Sequence, residues 1–96
     1  MATDYQPRPI PTEHIEIGDD MGALVERLAQ NAHDIWAVER LRNGWRYGPR
    51  RDDEKREHPC LVPYDELPDR ERDYDRAMAV GTVRAILALG FTISHL

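Results

Sequence analysis

Met21, Leu24, Val25, Leu28, Ala32, Ile35 and Trp36 recur at steps of three and four, and no other stretch of the chain keeps so regular a period. That spacing collects apolar side chains on one face of a helix, which must then be buried against a partner. Gly18-Asp19-Asp20 supplies the start, with Asp19 or Asp20 as N-cap, and the turn pair Asn43-Gly44 supplies the stop. The sequence therefore predicts one long helix over 19–42.

Its partner comes from residues 68–90. Pro68 suits a first helical turn, with Asp65 or Leu67 preceding it. Tyr74, Ala77, Met78, Val80 or Gly81, Val83, Ile86, Leu87 and Leu89 continue an apolar pattern up to the C-cap signal Gly90. Gly81 costs about 1 kcal/mol relative to Ala inside a helix. It marks either a break into two shorter helices or a close crossing point. Residues 91–96 leave as an extended tail.

The remaining segments are not helical. In residues 1–18, Pro7, Pro9 and Pro11 alternate, which removes backbone donors and fixes φ. This segment should lie extended against the body, anchored by Ile10, Ile15 and Ile17, with at most a very short strand at Ile15-Glu16-Ile17. Residues 43–67 read as loop and short strands. Tyr47-Gly48-Pro49 is a turn, Arg50 to Glu57 is a solvated charged loop, and His58 to Tyr64 is held extended between Pro59 and Pro63. Ninety-six residues suffice for one core. The expected architecture is a single, mainly α domain over 1–96, an antiparallel helix pair wrapped by the Pro-rich segment and the loop.

Composition excludes several functions. A net charge of -5 argues against nucleic acid and anionic membrane as partners. No apolar run approaches the ~20 residues of a membrane span. The start Met1-Ala2-Thr3-Asp4-Tyr5 has neither the basic residues nor the apolar stretch of a signal peptide. The single cysteine, Cys60, rules out an internal disulfide, and the combination points to a reducing, cytoplasmic setting.

The chemistry-bearing residues crowd the first helix and the turn after it. His33, Trp36 and Arg40 lie on adjoining turns, and Trp45, Arg46 and Tyr47 follow directly. With Tyr64, and with Arg46 or Arg76 for charge, they form a candidate ligand site that stacks a planar group and hydrogen-bonds its edge. The plainer alternative buries the aromatic residues in the core. Arg46, Arg50 and Arg51 suit phosphate, although no glycine-rich loop accompanies them and the Arg50 to Glu57 run is equally able to neutralise itself in solvent. His58 and Cys60, with His14, His33 and His95 scattered elsewhere, lack the spacing of a metal site, and no catalytic pair or cofactor motif stands out. Asp65, Glu66, Asp69, Glu71, Asp73 and Asp75 crowd a helix start, where the macrodipole favours them.

Leu28-Ala29-Xaa-Asn31-Xaa-His33-Asp34-Xaa-Trp36-Ala37, Gly44-Trp45-Xaa-Tyr47-Gly48, His58-Pro59-Xaa-Leu61-Val62-Pro63-Tyr64 and Ala88-Leu89-Gly90-Phe91 together resemble the RyR repeat, the small domain found in pairs in ryanodine-receptor calcium-release channels. Arg70-Glu71-Arg72 and Tyr74-Xaa-Arg76 resemble the start of the family's last helix. The resemblance runs from about Tyr5 to Ile93, with Gln30 standing where the family usually has Glu. In the channels the repeats sit at the cytoplasmic periphery, and the resemblance implies such a module, not a channel. In the channels one repeat pair carries a phosphorylated loop and another is linked to adenine-nucleotide binding. Arg50 to Glu57 has no Ser, Thr or Tyr to phosphorylate. The reading that follows is a non-enzymatic module binding a small molecule, nucleotide-derived for example, or a partner protein. The alternative is a structural module that associates with itself as a homodimer.

Overall fold

The computed structural model describes residues 4–95. A 3-10 turn at Asp19–Met21 leads into α1 (Gly22–Arg42). Two short strands follow, β1 (Arg46–Tyr47) and β2 (Glu57–His58), then a second 3-10 turn at Tyr64–Glu66 and finally α2 (Asp69–Ala88). The domain is mainly α, with two helices packed against each other.

Both helices end on a left-handed glycine. Gly44 has φ +86° and Gly90 φ +95°. After α1 the Gly44 N–H donates to Leu41 O and the Trp45 N–H to Arg40 O; after α2 the Gly90 N–H donates to Leu87 O and the Phe91 N–H to Ile86 O. Each pair satisfies carbonyls that a helix end otherwise leaves open, and only glycine takes this φ without strain. The helix starts differ from expectation. Neither Asp19 nor Asp20 caps α1 through its side chain. The tight turn is closed instead by the Met21 N–H donating to Gly18 O at 3.0 Å, leaving both carboxylates near the positive helix end.

The helices run antiparallel, so that Glu26 near the start of α1 meets Arg76 of α2 and the tail residue Ile93 returns to Met21 and Leu24. The buried stripe is rotated from the one the spacing suggested. Ala32 and Ile35 face outward, while Ala29 and His33 are buried. On α2, Tyr74, Met78 and Leu89 are exposed, and Ala79 and Val83 make the contact. Ala29, Ala79, Tyr64 and Leu67 form one core cluster, joined by Val25, Leu28, Cys60 and Val62. A small residue on each helix leaves room for Tyr64, supplied by the connecting segment, to sit where larger aliphatic residues were expected. Gly81 neither breaks α2 nor marks a crossing, because a Cβ placed there meets no atom within 4 Å.

The intervening loop is more ordered than its charge suggests. β1 and β2 pair in parallel, Arg46 opposite Glu57 and Tyr47 opposite His58. Asp52 and Glu57 exchange both backbone hydrogen bonds at 2.9 Å, and Asp52 Oδ1 accepts the Lys55 N–H. Gly48 is buried here, and a Cβ on it would lie 2.5 Å from Glu57 Cβ. The N-terminal segment is extended, as its prolines require, but residues 4–11 are exposed throughout. Ile10 finds no apolar partner to anchor it; Ile15 and Ile17 are half-buried without forming a strand.

The two kinds of glycine should respond oppositely to substitution. Gly81→Ala, on an open helical face, is expected to stabilise by about 0.5–1 kcal/mol. Gly90→Ala should destabilise by roughly 1 kcal/mol or more, because it forces a Cβ into the left-handed region. Urea midpoints for the two variants check this; shifts of the same sign would contradict the helix ends described.

Candidate functional site

The segment from His58 to Tyr64 straps across α1, and one hydrogen bond fixes it there. His33 is 4% exposed, and its Nε2 lies 2.7 Å from Val62 O. A carbonyl can only accept, so Nε2 carries the hydrogen, and in the neutral ring Nδ1 is left with a lone pair. No hydrogen bond to Nδ1 is formed among the described residues. At the other end of the strap His58 Nδ1 accepts the Cys60 N–H at 3.0 Å. Burial, then the charges of Arg40 and Arg51, hold the His58 pKa below its ordinary value, which favours a neutral ring with its hydrogen on Nε2.

Between strap and helices opens a cleft of about 230 Å³. Its walls come from α1 (His33, Trp36), the strap (His58, Cys60), Leu67 just after the second 3-10 turn, and α2 (Glu71, Tyr74, Asp75). Trp36 stacks on His33 with ring centroids 5.6 Å apart and meets His58 edge-on at 4.9 Å. Trp36 thus faces both α2 and the strap, but it is half-buried and open to the cleft, not sealed in the core. Glu71 and Asp75 stand one turn apart on α2, both half-buried, and neither is ion-paired among the described residues. Burial raises the Asp75 pKa, His33 opposes the shift and Glu71 adds to it. A like-charged pair at this spacing costs a helix about 0.2–0.5 kcal/mol. Asp75 lies in the second turn of α2, past the first turn to which the helix-end field is confined, so the macrodipole explanation fails for it. Burial, then Glu71 and Asp75, also push the Cys60 thiol up, which keeps it protonated and poorly nucleophilic.

The eight residues singled out in the sequence divide among four places. His33 and Trp36 line the cleft. Arg40 and Trp45 lie behind it, with the Arg40 guanidinium 4.5 Å from the Trp45 ring and 5.6 Å from that of Trp36, so the two indoles already hold a cation between them. Arg46 and Tyr47 border a separate groove with Leu41, Leu61 and Pro63, and Tyr47 is 56% exposed. Tyr64 is buried, its hydroxyl donating to Glu26 Oε1 at 3.0 Å, and Arg76 grips both oxygens of the same carboxylate at 2.8 and 3.0 Å. These two clamp the helix pair and line no cleft. Arg46 pairs with Glu57 and Arg51 with Asp53, which neutralises much of the basic run locally.

Six cleft residues were absent from that set: His58, Cys60, Leu67, Glu71, Tyr74 and Asp75. The 71, 74, 75 spacing on α2 was a usable signal, since those three residues share a helical face. Among the described residues no three His, Cys, Asp or Glu side chains are placed to hold a metal ion, and no helix is long and apolar enough to cross a membrane.

A strapped helix pair with an aromatic, acid-lined cleft defines the class of fold. The family model described as RyR domain matches residues 5–95. The chain therefore belongs to the RyR domain family.

The Glu26 clamp makes the fold acid-sensitive. Hydrogen bonds from Arg76 are the largest cause of a Glu26 pKa below the ordinary 4.5; burial opposes them and Tyr64 assists. Because the folded-state value is depressed, the stabilisation is present above about pH 4.5 and is lost as pH falls through the lower, folded value. Urea midpoints of wild type and Glu26→Gln should differ at neutral pH and converge in acid. A constant offset at all pH values would contradict the clamp.

Proposed function

We propose that this RyR domain is a non-catalytic recognition module whose binding site is the cleft between His33, Trp36, His58 and Tyr74. The observation that carries this reading is a concave site that gathers the Trp36 indole, two histidines and two unpaired carboxylates at the same place. The surroundings do not favour covalent chemistry: the thiol is held protonated, and His58 Nδ1 is spent on the Cys60 backbone. Glu71 and Asp75 make the cleft anionic, so a nucleotide phosphate does not belong inside it. A nucleotide-like ligand would have to place only its base on Trp36. Cys60, free and half-buried, suits a reducing, cytoplasmic setting.

A second reading draws on a different surface. Leu28, Ala32, Ile35 and Met78 border a groove between the helices, and Ile35 and Met78 are 59% and 71% exposed. Large apolar side chains side by side at a surface suit a second copy of the domain. This interface would leave the cleft open, and the two readings are compatible.

Side-chain NMR with a fragment set of indole, adenosine, benzamide and benzamidinium tests the first reading. Shifts should cluster on the Trp36 indole N–H and on the rings of His33, His58 and Tyr74. Shifts confined to Tyr47 and Arg46, or none with any fragment, would overturn it. Sedimentation at high micromolar concentration tests the second; a dimer dispersed by Met78→Lys is expected, and a monomer mass for the wild type would remove it.

A further inference from the structure

We infer that the ligand of this cleft is a planar cation of the guanidinium or amidinium type, such as an arginine side chain. The inference rests on the cleft being a recognition site, as proposed above, and adds the chemistry of what enters it.

Four observations converge on that chemistry. Glu71 and Asp75 bring two carboxylates to one wall without a cation to pair with among the described residues. Of the arginines near them in sequence, Arg72 is engaged with Asp69 and Arg76 with Glu26 and Asp73, while Arg70 is exposed and pairs with neither carboxylate. His33, buried to 4% exposure, contributes a further acceptor: its Nε2 hydrogen is spent on Val62 O, so Nδ1 has only a lone pair to offer. Trp36 and Tyr74 line the cleft with aromatic rings, the surface a planar cation favours. The domain already uses the same contact internally, where the Arg40 guanidinium lies against both indoles.

The balance of donors and acceptors decides between ligand classes. Carboxylates and a pyridine-type nitrogen demand a ligand rich in N–H groups. A guanidinium carries five such donors in a flat fork and stacks on aromatic faces while paired to carboxylate. An anion would meet two uncompensated negative charges, and a neutral ring would leave both carboxylates desolvated and unpaired. Burial of Asp75 already disfavours its ionised form in the empty domain, a cost to the fold that an arriving cation removes.

Benzamidinium and benzamide have nearly the same shape and differ in charge, and titration of wild-type protein with each reads the charge preference directly. Benzamidinium should bind at least about tenfold more tightly, and Glu71→Gln/Asp75→Asn should remove that preference. The double variant should be at least as heat-stable as wild type, because it deletes unpaired charge. N-acetyl-arginine methylamide against its citrulline counterpart repeats the test, and its affinity relative to methylguanidinium identifies the source. Tighter binding of the capped residue points to a partner protein's side chain, and equal binding to a free small cation. Equal affinity for benzamidinium and benzamide, with both still bound at Trp36, would overturn the cation and leave the recognition site standing. Absence of binding by any of these probes would overturn both.

Discussion

The hydrogen bond from His33 Nε2 to Val62 O holds the rest of the arrangement together. It joins residues 29 positions apart and seats the strap on α1. Without it the segment between Pro59 and Pro63 has no polar tie to the helix among the bonds that cross between them. The same bond fixes which ring nitrogen carries the hydrogen, and so decides what the floor of the cleft can offer. Stacking of Trp36 on His33, and the edge contact of Trp36 with His58, then follow from where the strap lies. One interaction thus sets the fold of the connection and the chemistry of the site.

A second tie acts on the other side of the helix pair. Tyr64 and Arg76 converge on Glu26 and lock α1, the connection and α2 at a single carboxylate. The two carboxylate environments differ instructively. Glu26 is held by Tyr64 and Arg76, which lower its pKa, whereas Glu71 and Asp75 have no ion-pair partner among the described residues and burial raises the pKa of Asp75. Charge is paired where the helices are clamped together and left unpaired on the wall of the cleft.

Much of this was legible in the sequence. The α1 period, the Asn43-Gly44 stop and Gly90 defined the two helices, because helix ends depend on local backbone geometry. The face that each helix buries was not legible in the same way. Ala32 and Ile35 look better buried than Ala29 and His33, and only the strap, a long-range partner, reverses that order. Tyr64 was read as a site residue for its amphipathic ring. Its partner Glu26 lies 38 positions away, and nothing local announces the pair. Arg46 and Tyr47 were grouped with Trp45 by sequence proximity, but the turn carries these two away from the cleft to a separate groove. Asp75 was masked by a sufficient-looking explanation, the acid-rich helix start, which its distance from that start undoes.

Long-range proton–nitrogen correlation spectra of the histidine side chains test the central claim most directly. The account predicts that neutral His33 carries its hydrogen on Nε2, with Nδ1 a pyridine-type nitrogen whose resonance moves when benzamidinium is added. A hydrogen on Nδ1 in the neutral ring would break the bond to Val62, remove the acceptor from the cleft, and contradict the account at its foundation.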